Sequence, residues 1–126
     1  MSVSRILVVD DNEDIRELFR LILEDEGYSV VDVETGEDAI RLLEGGERFE
    51  LILMDVTLGG GMCGLETASK IRSNPSWENI PIIAVTGGLT IQDDIQKAKS
   101  YGCDAILTKP IEDEDLIKAV TQFVDS

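Results

Sequence analysis

Charged or hydroxyl-bearing residues directly follow four short apolar runs of this sequence. These residues are Asp10 and Asp11 after RILVV, Asp55 after LILM, Thr86 after IIAV, and Thr108 with Lys109 after AIL. Clustered carboxylates repel one another unless a cation is present, and an all-oxygen set of ligands favours Mg2+, which is often shared with phosphate. A lysine ammonium beside such a cluster could hold a phosphoryl oxygen. The residue types therefore indicate a cation and phosphate site, if the fold brings the four runs together.

Single members of this set also have simpler interpretations. Asp10 or Asp11 could merely cap a helix that begins near Glu13, and Lys109 could be a surface lysine beside a turn. The position of Lys109 between an apolar run and Pro110 favours an ammonium that faces the carboxylates, and a cis peptide at Pro110 could aim it there. For the whole set, a site is favoured over capping.

Five β-branched or apolar runs alternate with segments of helical periodicity. The predicted strands are Arg5–Val9, Ser29–Val33, Leu51–Met54, Ile82–Val85 and Ala105–Leu107, and the predicted helices are Glu13–Glu26, Glu37–Leu43, Leu65–Arg72, Ile91–Tyr101 and a last one from about Glu112. The first helix places Leu18 and Phe19 on its apolar face. Such a (βα)5 alternation requires crossover connections and hence a parallel sheet with helices on both faces. Ligand chemistry in such sheets collects at the carboxyl ends of the strands.

Length and composition limit the possible functions. The chain has 126 residues, which fits one domain, and carries 26 acidic against 11 basic residues with no histidine, for a net charge of -15. This charge argues against nucleic-acid binding. Two cysteines are too few for a disulfide framework, and the absence of histidine excludes a Cys/His zinc pattern. We interpret Cys63 as incidental, Cys103 as buried packing and Trp77 as a lid over the edge of the core. A cytoplasmic location is expected, with neither a signal peptide nor a membrane span.

The motifs VVDDNED, LILMD, GLE, IIAVT and LTKP occur in this order, each at its predicted strand end or helix start. In this the chain resembles, over essentially its whole length, the receiver domains of two-component response regulators, including the chemotaxis receivers. The resemblance implies a flavodoxin-like, three-layer α/β fold with a five-stranded parallel sheet in the order 2-1-3-4-5. It also implies that residues 1–126 are a single receiver domain.

The resemblance implies a role for each site residue. Asp55 would accept a phosphoryl group from a phosphohistidine of a sensor histidine kinase or a histidine phosphotransfer protein. Thr86 and Lys109 would each hold a phosphoryl oxygen, and the chain would be a signalling phosphoacceptor rather than an enzyme acting on other substrates. The implied Mg2+ ligands are Asp10 (mostly through water), Asp11, Asp55 and the backbone carbonyl of Thr57. A downstream protein would bind the face formed by the fourth helix, the fifth strand and the fifth helix, and the chain would be a monomer or weak dimer.

Two features depart from the family pattern. The loop Leu58–Gly64 contains Gly59–Gly61, lacks the usual proline and is one residue longer, so we expect it to be loose until Mg2+ or a phosphoryl group orders it. Ile106 stands where the family often has an aromatic residue that rotates on activation. Output by order and disorder of Thr86–Thr90 is the alternative, because two glycines there could absorb a backbone change.

Other functions stay open to different degrees. The chain could be a receiver cut from a larger response regulator or a hybrid kinase. A Mg2+-dependent phosphohydrolase with an aspartyl-phosphate intermediate is less favoured, because Thr57 occupies the position of its general acid. A flavin carrier is disfavoured because DDNED would repel a cofactor phosphate. A receiver-like module without phosphorylation is disfavoured because all five of the expected polar residues (Asp10, Asp11, Asp55, Thr86, Lys109) are present.

Overall fold

The computed structural model describes residues 4–56, 64–87, 96 and 98–124. Its five strands form one parallel sheet in the order β2-β1-β3-β4-β5. The strands are β1 (Arg5–Val9), β2 (Ser29–Val33), β3 (Leu51–Asp55), β4 (Ile82–Thr86) and β5 (Ala105–Thr108). The helices with complete bounds are α1 (Glu13–Asp25), α2 (Gly36–Glu44), α3 (Gly64–Arg72) and α4 (Asp113–Val124). The predicted fold class and strand order are confirmed.

Alternate residues of the central strands pack into two apolar layers, one on each face of the sheet. On one face, Leu7, Ile52 and Ala84 belong to a cluster that includes residues of α2 and α3. On the other, Val8, Leu53 and Ile83 pack with residues of α1 and α4. Every residue of β3 and β4 is buried, as expected for parallel strands covered on both sides. This sandwich makes the ends of β3 and β4 a rigid platform.

Three strands continue one residue beyond their predicted ends. Asp55, Thr86 and Thr108 are the last residues of β3, β4 and β5, whereas the prediction stopped at the preceding apolar residue. Strand pairing continues through backbone hydrogen bonds. The N–H of Val56 donates to the carbonyl of Val85, and the backbone N–H of Lys109 donates to the carbonyl of Thr86. The polar residues are therefore held by the sheet itself rather than by a loop.

Other expectations had mixed outcomes. Cys103 is buried, and half-buried Trp77 packs against the cluster on the α2 and α3 face, as predicted. The placement of Leu18 on the apolar face of α1 was wrong: its side chain is 44% exposed, because the face that meets the sheet is centred on Phe19 and Leu23. Most of the predicted helix Ile91–Tyr101 lies outside the described residues. Among the described helices, none has the length and apolar character needed to cross a bilayer.

Candidate functional site

Three carboxylates meet at the carboxyl edge of the sheet. One oxygen from each of Asp10, Asp11 and Asp55 lies within 4.8 Å of the others. Asp10 follows β1 and is 1% exposed, Asp55 ends β3 and is 2% exposed, and Asp11 is exposed. The neighbouring position of β1 and β3 in the sheet accounts for this convergence. The cluster thus has two buried carboxylates and one that faces solvent.

Lys109 brings a positive charge to the two buried carboxylates. Its Nζ lies 3.3 Å from Oδ2 of Asp10 and 3.6 Å from Oδ2 of Asp55. Its backbone N–H donates to the carbonyl of Thr86 at 2.7 Å, which ties the residue to the end of β4. The Lys109–Pro110 peptide bond is cis. The two distances from Nζ place the ammonium beside both buried carboxylates, as the sequence predicted.

Asp10 has a hydrogen-bond partner at each of its four polar atoms. Its N–H donates to the carbonyl of Val33, and its carbonyl accepts from Nη1 of Arg16 at 2.7 Å. Oδ1 accepts from the N–H of Asn12 at 2.9 Å, and Oδ2 accepts from Nζ of Lys109 at 3.3 Å. Both the backbone and the carboxylate of Asp10 are thereby fixed in orientation.

The pKa of Asp10 is raised above its ordinary value. Burial is the main cause, because it disfavours the charged form, and the nearby charge of Asp55 adds to it. The N–H of Asn12 and the ammonium of Lys109 act in the opposite direction. The effect of burial on this carboxyl group thus outweighs its two favourable contacts.

Thr86 and Gly64 complete the described part of the site. Thr86 ends β4 with 2% exposure and is paired with Thr108 in the sheet. Gly64 begins α3 so close to β3 that an added Cβ would lie 1.9 Å from the backbone oxygen of Asp55. Only glycine lets the helix approach the strand end this closely. The glycine of the GLE motif is therefore required for steric reasons.

The prediction for the loop after β3 is not tested by the structure. Thr57, whose carbonyl was predicted as a cation ligand, lies outside the described residues, as do Gly59–Gly61 and Cys63. Ile106 is described: it is half-buried and packs against the cluster on the α2 and α3 face.

Sequence reasoning missed two residues beside the site. The cap of α1 is neither Asp10 nor Asp11 but Asn12, whose side chain accepts from the N–H of Ile15. The signal was present, since Asn is a preferred cap and acidic residues follow it directly. No sequence pattern marked Arg16, because its partners are the backbone carbonyl of Asp10 and the carboxylate of Asp32 on β2. Such contacts depend on tertiary structure.

The donor set fits a hard divalent cation. Its three clustered ligands are all carboxylates, and the exposed Asp11 leaves room for water, which Mg2+ tends to retain. Within the described residues, this is also the only group of three or more acidic or sulfur ligands close enough to share an ion.

Comparison with known proteins gives the family. The family model described as the response regulator receiver domain matches residues 6–121. The chain belongs to the response regulator receiver family. The matched range includes the acidic cluster, Thr86 and Lys109, so the family assignment covers the complete described site.

Individual relatives agree with this assignment. The receiver is 31% identical to the polar-differentiation response regulator DivK of Brucella anthropi, with 94% of each chain covered. It is 34% identical to the CAI-1 autoinducer sensor kinase/phosphatase CqsS of Vibrio cholerae, over 95% of this chain but only 17% of that protein. The chemotaxis response regulator CheY4 of Vibrio cholerae has a similar structure, with a TM-score of 0.88, 28% identity and coverage of 97% and 99% of the two chains.

Proposed function

We propose that this receiver accepts a phosphoryl group on Asp55 from a phosphohistidine of a partner protein, in a Mg2+-dependent reaction. An Asp55 carboxylate oxygen forms a bond to phosphorus while the bond from phosphorus to the imidazole nitrogen breaks, and the imidazole leaves with that electron pair. The observation that supports this most strongly is the position of the Lys109 ammonium, 3.3 Å from Asp10 and 3.6 Å from Asp55. Such an ammonium can move from a carboxylate to a phosphoryl oxygen.

The remaining residues supply orientation and charge. Asp10, Asp11, Asp55 and the carbonyl of Thr57 would hold Mg2+, which when bound offsets negative charge on the transferring phosphoryl group. Thr86 sits at the end of β4 on the same sheet edge, where its hydroxyl would donate to a second phosphoryl oxygen. The burial of Asp55 at a paired strand end limits its side-chain freedom and favours a defined line of attack.

The proposed output is a protein contact rather than a small-molecule product. Phosphorylated Asp55 would carry about 1.5 to 2 negative charges in place of the single charge of its carboxylate, and Lys109 and Thr86 would respond at the ends of β5 and β4. A downstream partner would bind the face that comprises the predicted fourth helix (Ile91–Tyr101), β5 and the predicted fifth helix, which is α4 of the structure. Relatives include DivK, of similar length, and a far longer sensor kinase, so a role within a larger protein is equally compatible. The family assignment disfavours the phosphohydrolase alternative.

The proposal can be tested by chemical phosphorylation. The purified chain is incubated with acetyl phosphate and MgCl2, and its intact mass is measured. We expect a mass increase of one phosphoryl group that disappears in Asp55→Asn and when EDTA replaces MgCl2. Asp38→Asn is the matched control, because Asp38 is a partly exposed carboxylate on α2 that pairs with Arg41.

Loss of the adduct in Asp55→Asn but not in Asp38→Asn would support Asp55 as the acceptor. An unmodified wild-type chain, or an adduct that survives in Asp55→Asn, would refute the proposal.

A further inference from the structure

The first turns of α1 hold Asp10 from two directions. Asn12, the cap of α1, donates its backbone N–H to the Asp10 carboxylate at 2.9 Å. Arg16 lies one turn later, and its Nη1 donates to the Asp10 carbonyl at 2.7 Å. The N–H of Arg16 donates to the carbonyl of Asn12, so one helical turn links the two contacts. Movement of Arg16 would therefore affect the hydrogen bonds of both the backbone carbonyl and the carboxylate of Asp10.

Arg16 is itself held by β2. Its Nε donates to Oδ2 of Asp32 at 2.9 Å, and the two side chains are only 15% and 20% exposed. Arg20 pairs with the other carboxylate oxygen of Asp32 and is 43% exposed. The structure records no contact of Arg20 with Asp10 among the described residues. Arg16 and Arg20 thus have the same partner, Asp32, and carry the same positive charge. Of the two, only Arg16 contacts Asp10, a member of the acidic cluster.

We propose that Arg16 is a positioning residue for the cation site, because it anchors the segment that carries Asp10 and Asp11 to β2. This inference rests on the proposed function, since it concerns the same site. The planar guanidinium can donate to a carbonyl and a carboxylate together, which the single ammonium of a lysine cannot do in the same geometry. Residues that orient metal ligands typically change metal affinity by roughly 10- to 100-fold when mutated.

If Arg16 acts only through its charge, its replacement should change the affinity for the cation in one direction, and if it acts by positioning, in the other. Removing a positive charge next to a cation site should strengthen cation binding by simple electrostatics. Removing an anchor should weaken it, because the carboxylates must then be ordered on binding. The sign of the change in affinity for Arg16→Gln therefore distinguishes the two roles.

The test is calorimetric titration of MgCl2 into the wild type, Arg16→Gln, Arg16→Lys and Arg20→Gln. We expect Arg16→Gln to bind Mg2+ about tenfold more weakly. Arg16→Lys should also bind more weakly although its charge is kept. Arg20→Gln, which has the same charge change and the same lost partner, should bind as well as the wild type or slightly better. The hydrogen-exchange protection of the Asn12 amide should fall in the Arg16 variants alone.

Tighter or unchanged Mg2+ binding by Arg16→Gln, or an equal loss in Arg20→Gln, would overturn this role. Circular dichroism identifies a variant that fails to fold, and Arg16→Lys, which keeps the positive charge, then decides the question. A wild type that binds no Mg2+ would instead refute the proposed function. The two failures are therefore distinct.

Discussion

At the scale of single residues, aspartates of the site differ in how deeply they are buried. Asp11 and Asp10 are adjacent in the chain, yet Asp11 is exposed and Asp10 is 1% exposed, with a raised pKa caused mainly by that burial. Lys109 is the cation that the structure shows beside the buried pair. Two aspartates that are adjacent in the chain thus differ sharply in their exposure to solvent.

Cys103 gives a prediction for alkaline pH. Burial raises the pKa of its thiol to about 11, from an ordinary value of 9.0. The folded chain keeps the thiol neutral where the unfolded chain ionises it. Its stabilising contribution is therefore complete below pH 9 and is lost as the pH rises towards 11. Over these two pH units the loss is about 2.7 kcal/mol.

The measurement is urea unfolding of the wild type and Cys103→Ala between neutral pH and pH 11. The wild type should lose more stability than the variant above pH 9, even though the variant is less stable at neutral pH because of its cavity. Parallel curves for the two proteins across this range would show that ionisation of Cys103 is not linked to folding.

At the scale of elements, the start of α3 is pressed against the end of β3. A side chain at position 64 would collide with the backbone of Asp55, with Cβ at 1.9 Å from its oxygen and 2.8 Å from its carbonyl carbon. Because backbone atoms cannot rotate away, the strand end or the helix must shift. The placement of α3 and the backbone position of Asp55 are therefore coupled at Gly64.

Gly64→Ala should lower the free energy of unfolding by roughly 3 kcal/mol, at the upper end of overpacking costs. It should also slow modification of Asp55 by acetyl phosphate. Gly87→Ala is the matched control for stability, because an added Cβ there meets nothing within 4 Å. Urea denaturation measures the difference, and a Gly64→Ala variant as stable as Gly87→Ala would contradict the steric argument.

At the scale of the whole molecule, net charge and cation binding have separable effects on stability. The chain carries a net charge of -15, so any salt reduces its self-repulsion. Specific binding of Mg2+ to the folded chain would add a further stabilisation, about 2.7 kcal/mol when the Mg2+ concentration is 100 times the Kd. We expect MgCl2 to raise Tm by more than NaCl of equal ionic strength, by about 3 °C per kcal/mol.

Thermal unfolding of the wild type and Asp11→Asn in the two salts checks this prediction. The variant should lose most of the additional effect of MgCl2, while its response to NaCl should stay the same. Equal Tm shifts in the two salts for the wild type would mean that Mg2+ acts by screening alone.

The sequence predicted the architecture well, because parallel strands buried on both faces have continuous apolar runs such as LILM and IIAV. It also predicted which residues would gather at one edge, since the carboxyl ends of parallel strands share that edge. It did not predict the contacts of Arg16 or the close approach at Gly64, because these depend on the distances between elements. Leu18 was misplaced because helical periodicity does not show how wide the covered face of α1 is.

The contact between Lys109 and Asp10 joins residues 99 positions apart in the chain. Translation as far as Asp55 supplies all three carboxylates, but Lys109, whose ammonium lies beside Asp10 and Asp55, is still to be added. During synthesis the nascent chain therefore contains these carboxylates without the ammonium that lies beside two of them. The described site becomes complete only when β5 joins the edge of the sheet, so a chain translated only as far as β4 lacks the complete site.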